Sequence, residues 1–168
     1  MKSECRYVDS AIPPTAVDKI LVDSGSSVDV LFYHTFKEIG YDDINLAPVE
    51  YDIFGFNGTA TIPKGEITLT ITIDTLETIV TFSVVEVDIP YNAIIRRPWI
   101  HGVRGITSTF HQCIRFPVPD GIGEIKGDII QAKECKDLNV RHQEGRKQRK
   151  KDKKKMAREV KQEREFQV

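Results

Sequence analysis

No stretch of this 168-residue chain stays apolar for the roughly 20 residues a membrane-spanning helix needs. An integral helical membrane protein is thereby excluded. The N-terminus, Met1-Lys2-Ser3-Glu4-Cys5-Arg6, has none of the apolar h-region that a secretory signal carries. Cysteine is scarce: Cys5, Cys113 and Cys135 are odd in number and far apart. That spacing suits neither a disulfide framework nor the paired thiolates of a zinc site, and it points to a reducing, intracellular and chiefly cytoplasmic setting. His101 and His111 near Cys113 read as ordinary strand and loop residues, so no metal is expected. Net charge is lacking too, at −1, but only by cancellation. Residues 1–140 hold 12 basic and 20 acidic side chains, whereas residues 141–168 hold 12 basic and 5 acidic. An acidic body carries a basic tail.

What is present is mostly strand pattern. An extended approach ends in Ile12-Pro13-Pro14, which cannot be helical. Residues 17–22 form a short strand that runs into the turn-forming cluster Asp23-Ser24-Gly25-Ser26-Ser27. Val28-Asp29-Val30-Leu31-Phe32 resumes the apolar pattern, and residues 34–40 read as a brief helix stopped by Gly40. Ile53-Phe54-Gly55-Phe56-Asn57-Gly58-Thr59 reads as a hairpin with a glycine-bearing tip, its return arm broken by Pro63-Lys64-Gly65. In residues 66–74, Ile67, Leu69, Ile71 and Ile73 alternate with Thr68, Thr70 and Thr72, the period-two signature of a half-buried strand. A turn at Asp74-Thr75 leads into a further strand over residues 78–87. Short strands at this spacing predict a small all-β barrel or sandwich with one or two short helices.

The most informative segment is Ile20-Leu21-Val22-Asp23-Ser24-Gly25-Ser26-Ser27. A carboxylate on a tight turn between two apolar strands is costly to place, because desolvation disfavours its charged form. Such a group is either an Asx-turn carboxylate bonding its own backbone or a group whose shifted pKa is used.

This segment resembles the active-site loop of retropepsin-type aspartic proteases, an aliphatic pair followed by Asp-Thr/Ser-Gly-Ala/Ser. The hairpin around Phe54-Gly55-Phe56-Asn57-Gly58 looks like their flap. Tyr91-Asn92-Ala93-Ile94-Ile95-Arg96-Arg97-Pro98-Trp99 resembles their second signature, two aliphatics, Gly-Arg and a short helix. The Arg-Pro-Trp form, followed by Ser108-Thr109-Phe110-His111-Gln112-Cys113, is similar to the protease region of gypsy-type LTR retrotransposon polyproteins of plants. The resemblance covers residues 16–135. It implies a small closed retropepsin-like barrel there, with residues 1–15 an extended segment and 136–168 a basic tail, disordered or helical.

The resemblance also implies a chemistry. The chain has one Asp-Ser-Gly, half of an aspartic dyad, so activity needs a homodimer with a two-fold axis through the site. Asp23 and its symmetry mate share one proton; the ionised member activates water and the protonated one donates to the peptide carbonyl. No metal or cofactor is required. Ser24 keeps the hydroxyl expected to bond beneath the dyad, and Gly25 lets the backbone approach substrate. The substrate, an extended polypeptide, is expected against Ser26, Ser27 and the hairpin tip Phe56, Asn57 and Gly58.

One position departs from the pattern. In Ile94-Ile95-Arg96-Arg97, Arg96 stands where the family has glycine. A side chain there is expected to crowd the loop, and its cation needs an exit or a carboxylate partner, for which Asp29 is a candidate. Two functions therefore stand side by side: an aspartic endopeptidase acting on a polyprotein, and a protease-like relic or interaction module disabled at Arg96. Trp99 and Tyr91 read as packing residues. The run over residues 146–155 is eight cations in ten. It reads first as a solvated charge run; weak, sequence-independent contact with nucleic acid or a nuclear-localisation signal are its alternatives.

Overall fold

A computed structural model describes residues 5–7, 16–55, 58–73 and 76–165. In chain order the strands are β1 (Cys5–Tyr7), β2 (Ala16–Val17), β3 (Ile20–Asp23), β4 (Val30–Phe32), β5 (Ile53–Phe54) and β6 (Ala60–Thr61). They continue with β7 (Gly65–Ile73), β8 (Leu76–Val85), β9 (Ala93–Arg96), β10 (Ile106–Ser108), β11 (Cys113–Val118) and β12 (Gly121–Lys126). Two short helices, α1 (Tyr33–Glu38) and α2 (Arg97–Gly102), precede a long one, α3 (Ile129–Glu165). Among the described residues, no helix is long and apolar enough to cross a membrane.

The strands do not close into the expected barrel. Seven form an open sheet in the order β2-β1-β7-β8-β4-β9-β3, beside a three-stranded sheet β10-β11-β12 and the two-stranded β5-β6. A list of strand-like segments carries no information on pairing partners, and here β3 ends the large sheet without a second neighbour among the described residues. The single strand expected over residues 17–22 is also divided, because Lys19 turns the backbone through a positive φ of 52°. The Ile12-Pro13-Pro14 segment and the Asp74-Thr75 turn lie outside the described residues.

The alternation read from residues 66–74 is the backbone of the core. Ile67, Leu69, Ile71 and Ile73 are all buried, and β7 pairs along its whole length with β8, Leu69 opposite Val80. The central strands differ: β4 and the first three residues of β9 are buried on both faces. One face, with Leu31, Ala93, Ile95 and Val84, meets Phe36 from α1 and Trp99 and Ile100 from α2. The other face, with Val30, Phe32, Val85 and Ile94, is covered by Ile53, Val87, Ile89 and Tyr91. Continuous apolar runs such as Ala93-Ile94-Ile95 follow from that double covering. Trp99 is 4% exposed and its indole N–H donates to the Thr78 hydroxyl at 3.0 Å.

Gly65 opens β7 at the point where Ala47 and Glu66 exchange backbone hydrogen bonds, both 2.8 Å. A Cβ on Gly65 would lie 2.6 Å from the Ala47 carbonyl oxygen, and its φ of +156° disfavours any L side chain. Neither backbone can yield without breaking the bridge. Gly65→Ala is expected to destabilise the fold by about 2 kcal/mol, read as a lowered denaturation midpoint at unchanged slope.

Candidate active site

The site follows from a pairing. Strands β3 and β9 are parallel and in register, Ile20 with Ala93, Leu21 with Ile94, Val22 with Ile95 and Asp23 with Arg96. Neighbouring strands lie about 4.8 Å apart, and paired residues share a face. Whatever occupies position 96 therefore sits beside the Asp23 side chain. The pairing joins segments 73 residues apart, which a local reading of the sequence does not reveal.

Asp23 ends β3 and is half-buried, while Ser24, Gly25 and Ser27 of the loop beyond it are exposed. The carboxylate is held on both oxygens. The Gly25 N–H donates to Oδ1 at 3.0 Å and the Ser26 hydroxyl to Oδ2 at 2.6 Å. Gly25 is close-packed against it: a Cβ at this position would be 3.2 Å from Oδ1. Ser26, assigned from sequence to substrate contact, thus spends its hydroxyl on Asp23. The carboxyl pKa is lowered, chiefly by the Ser26 hydroxyl, with burial opposing and the Gly25 N–H and Arg96 charge assisting.

Arg96 is the last residue of β9 and not part of the following helix. Its guanidinium lies against Asp23 rather than the candidate Asp29: Nε is 3.7 Å from Asp23 Oδ2. The Arg96 side chain is 16% exposed and that of Asp23 39%. Nε itself is buried without a hydrogen-bond acceptor, so the contact is one of charge.

Asp29 serves the backbone instead. It is 3% exposed and accepts the N–H groups of Arg96 and Trp99, satisfying the start of α2 from a distant loop. Burial raises its pKa, against the pull of those two N–H groups and the Arg96 charge. This role was not legible, because nothing local marks Asp29 as facing a helix 70 residues on. Arg97 completes the frame. Its backbone N–H donates to the Ser26 carbonyl at 3.2 Å, and its guanidinium to the Gly25 carbonyl at 3.2 Å. Ile94 and Ile95 are core residues, on opposite faces of β9.

The hairpin expected as a flap is present at its base. Ile53 pairs with Thr61 and Phe54 with Ala60, and Gly55 N–H donates to the Thr59 carbonyl at 2.9 Å. Gly58 takes a φ of 75° at the tip; Phe56 and Asn57, assigned to substrate contact, lie outside the described residues. Ile53 packs on the cluster containing Ile94, which fixes the hairpin base to the sheet that carries Asp23.

The sequence matches no family model, and it matches no curated protein. Among solved structures the chain is similar to the retroviral protease-like domain of Ddi1 from Leishmania major. The TM-score is 0.50 over 73% of this chain and 90% of that one, at 16% identity. At that identity the likeness speaks for architecture alone: the chain has a retroviral-protease-like fold.

Proposed function

We propose that the chain is an aspartic endopeptidase of the retropepsin type, active as a homodimer. The observation that carries this reading is Asp23. It ends an edge strand on a retroviral-protease-like fold, with both oxygens oriented by Gly25 and Ser26 and an exposed loop beyond it. Exposed aliphatics Leu21 and Val22 on the same edge strand suit burial against a second copy. In that dimer the two Asp23 carboxyls share a proton; one takes a proton from water as it attacks the peptide carbonyl, and the other protonates the carbonyl oxygen. Ser24 bonds across the axis, and an extended polypeptide lies along Gly25, Ser27 and the 56–58 tip.

The finer assignment is a gypsy-type retrotransposon protease processing its polyprotein in the cytoplasm, with residues 16–135 as the catalytic unit. The basic stretch 146–155 is an appendage capable of weak, non-specific phosphate contact. A second reading has a specific observation behind it: the Arg96 guanidinium at 3.7 Å from Asp23 favours a module that binds extended peptide without cutting it.

The test is cleavage of a quenched, unstructured polypeptide across about pH 3 to 6, the range of carboxyl titration. Below the dimer dissociation constant, tenfold dilution is expected to lower the total rate about a hundredfold, since active sites scale with the square of chain concentration. Cleavage strictly proportional to concentration, from chains that sediment as monomers, would overturn the dimer. Absence of cleavage at every pH would leave the second reading.

A further inference from the structure

We propose that Arg96 is a positioning residue whose charge adds to the Ser26 and Gly25 hydrogen bonds in favouring the ionised Asp23 carboxylate, and so moves proteolysis toward more acidic solution. The inference rests on the reading of Asp23 as a dyad carboxylate. A dyad keeps one proton at mild acidity because two carboxylates in contact cannot both ionise. That repulsion is what retains the acid needed at the substrate carbonyl.

The geometry of β9 removes the repulsion. Parallel register places Arg96 beside Asp23, with Nε 3.7 Å from Oδ2. The cation cannot simply swing into water. Its side chain is 16% exposed, its Nε is buried, and its backbone N–H is fixed by Asp29. When two copies meet at Asp23, each carboxylate brings its own guanidinium. Two negative charges then face two positive ones, and full ionisation of the pair no longer builds up charge.

The other groups around Asp23 do not cancel this. From its own loop the Gly25 N–H and Ser26 hydroxyl favour the ionised form. From α2, Arg97 adds a second cation one residue away, bonded to the Gly25 carbonyl. Asp29, from the loop before β4, is the only carboxylate in contact with Arg96 besides Asp23 among the contacts described. Burial keeps Asp29 protonated to higher pH than Asp23, so in acid it does not neutralise the guanidinium. The sign follows. A lowered Asp23 pKa means the proton-sharing form appears only as pH falls through that lowered value, and activity is lost as pH rises above it.

The experiment follows the Asp23 carboxyl itself, by carbon NMR of the full chain with aspartate labelled and Asp23→Asn used for assignment. Native chain, Arg96→Met and Arg96→Lys are titrated in parallel, and their pH profiles for kcat/KM are recorded. Arg96→Met, which keeps the stem and removes the charge, is expected to raise the Asp23 midpoint by about one pH unit, the low end for an opposite charge at this range. The upper limb of its pH profile should move with it, giving about a tenfold gain in cleavage just above the native limit. Arg96→Lys should stay near native. Arg96→Gln, also uncharged, serves in its place should the Met variant not fold. An Asp23 midpoint identical in native and folded charge-free variants would overturn the proposal. A shifted midpoint with no cleavage from any variant would support the action of Arg96 on Asp23 while refuting the endopeptidase reading.

Discussion

Asp23→Asn is expected to abolish polypeptide cleavage, by at least about 10³-fold, while leaving the fold intact. The amide matches the carboxylate in shape, so the Asn oxygen can still accept the Gly25 N–H or the Ser26 hydroxyl. It can neither ionise to activate water nor supply an acidic proton. In a dimer both members are replaced, and no carboxyl remains at the axis. The structural cost is confined to the Arg96 guanidinium, which loses its nearest counter-charge in a partly buried position. Cleavage assays beside thermal melting separate the two effects. An Asp23→Asn chain that cuts at the native rate would place the chemistry elsewhere.

The largest stability loss is expected from Asp29→Ala. Two backbone N–H groups, of Arg96 and Trp99, end on this buried carboxylate, and alanine leaves both without an acceptor. Each orphaned donor costs about 1–3 kcal/mol, partly offset because a carboxylate no longer has to be buried, for a net loss of about 3 kcal/mol. In a chain of this size that lowers the melting temperature by about 10 °C. Asp29→Asn, which keeps one acceptor oxygen, should lose less. The pH dependence has a definite sign. Asp29 has a folded pKa raised above its unfolded value, so its titration weakens the native state as pH rises through the interval between the two. Denaturation of the native chain and both variants across mildly acidic pH checks the sign, because the variants lack this limb.

How much of this was legible depended on how local the signal was. The alternation of Ile67, Leu69, Ile71 and Ile73 with threonines declared β7, because period two is written within one strand. The loop at Asp23 was visible for the same reason, its turn residues and flanking aliphatics being contiguous. Barrel closure was a wrong expectation, since strand count says nothing of which edges pair. Asp29 was only a candidate partner for the Arg96 cation, and Asp23 was not foreseen, because only the β3–β9 register, a tertiary property, brings residues 23 and 96 together. The tail was left open between disorder and helix. Helix α3 lacks an apolar stripe, and its Lys, Arg, Glu and Gln content favours helix by backbone propensity alone.

The course of α3 has an electrical consequence. Gln131, in its first turn, reaches Asp18, which lies just before β3, at the opposite end of that strand from Asp23. From Ile129 to Arg141 the helix advances about 18 Å. Salt at physiological strength damps a field within about 8 Å. From Gln131, where the helix touches Asp18, the first tail cation at Arg141 is about 15 Å along the axis, close to two screening lengths from that contact. At Asp23 the cation that the fold itself puts in place is Arg96, with Nε 3.7 Å from the carboxylate, and it needs nothing from the tail's twelve cations.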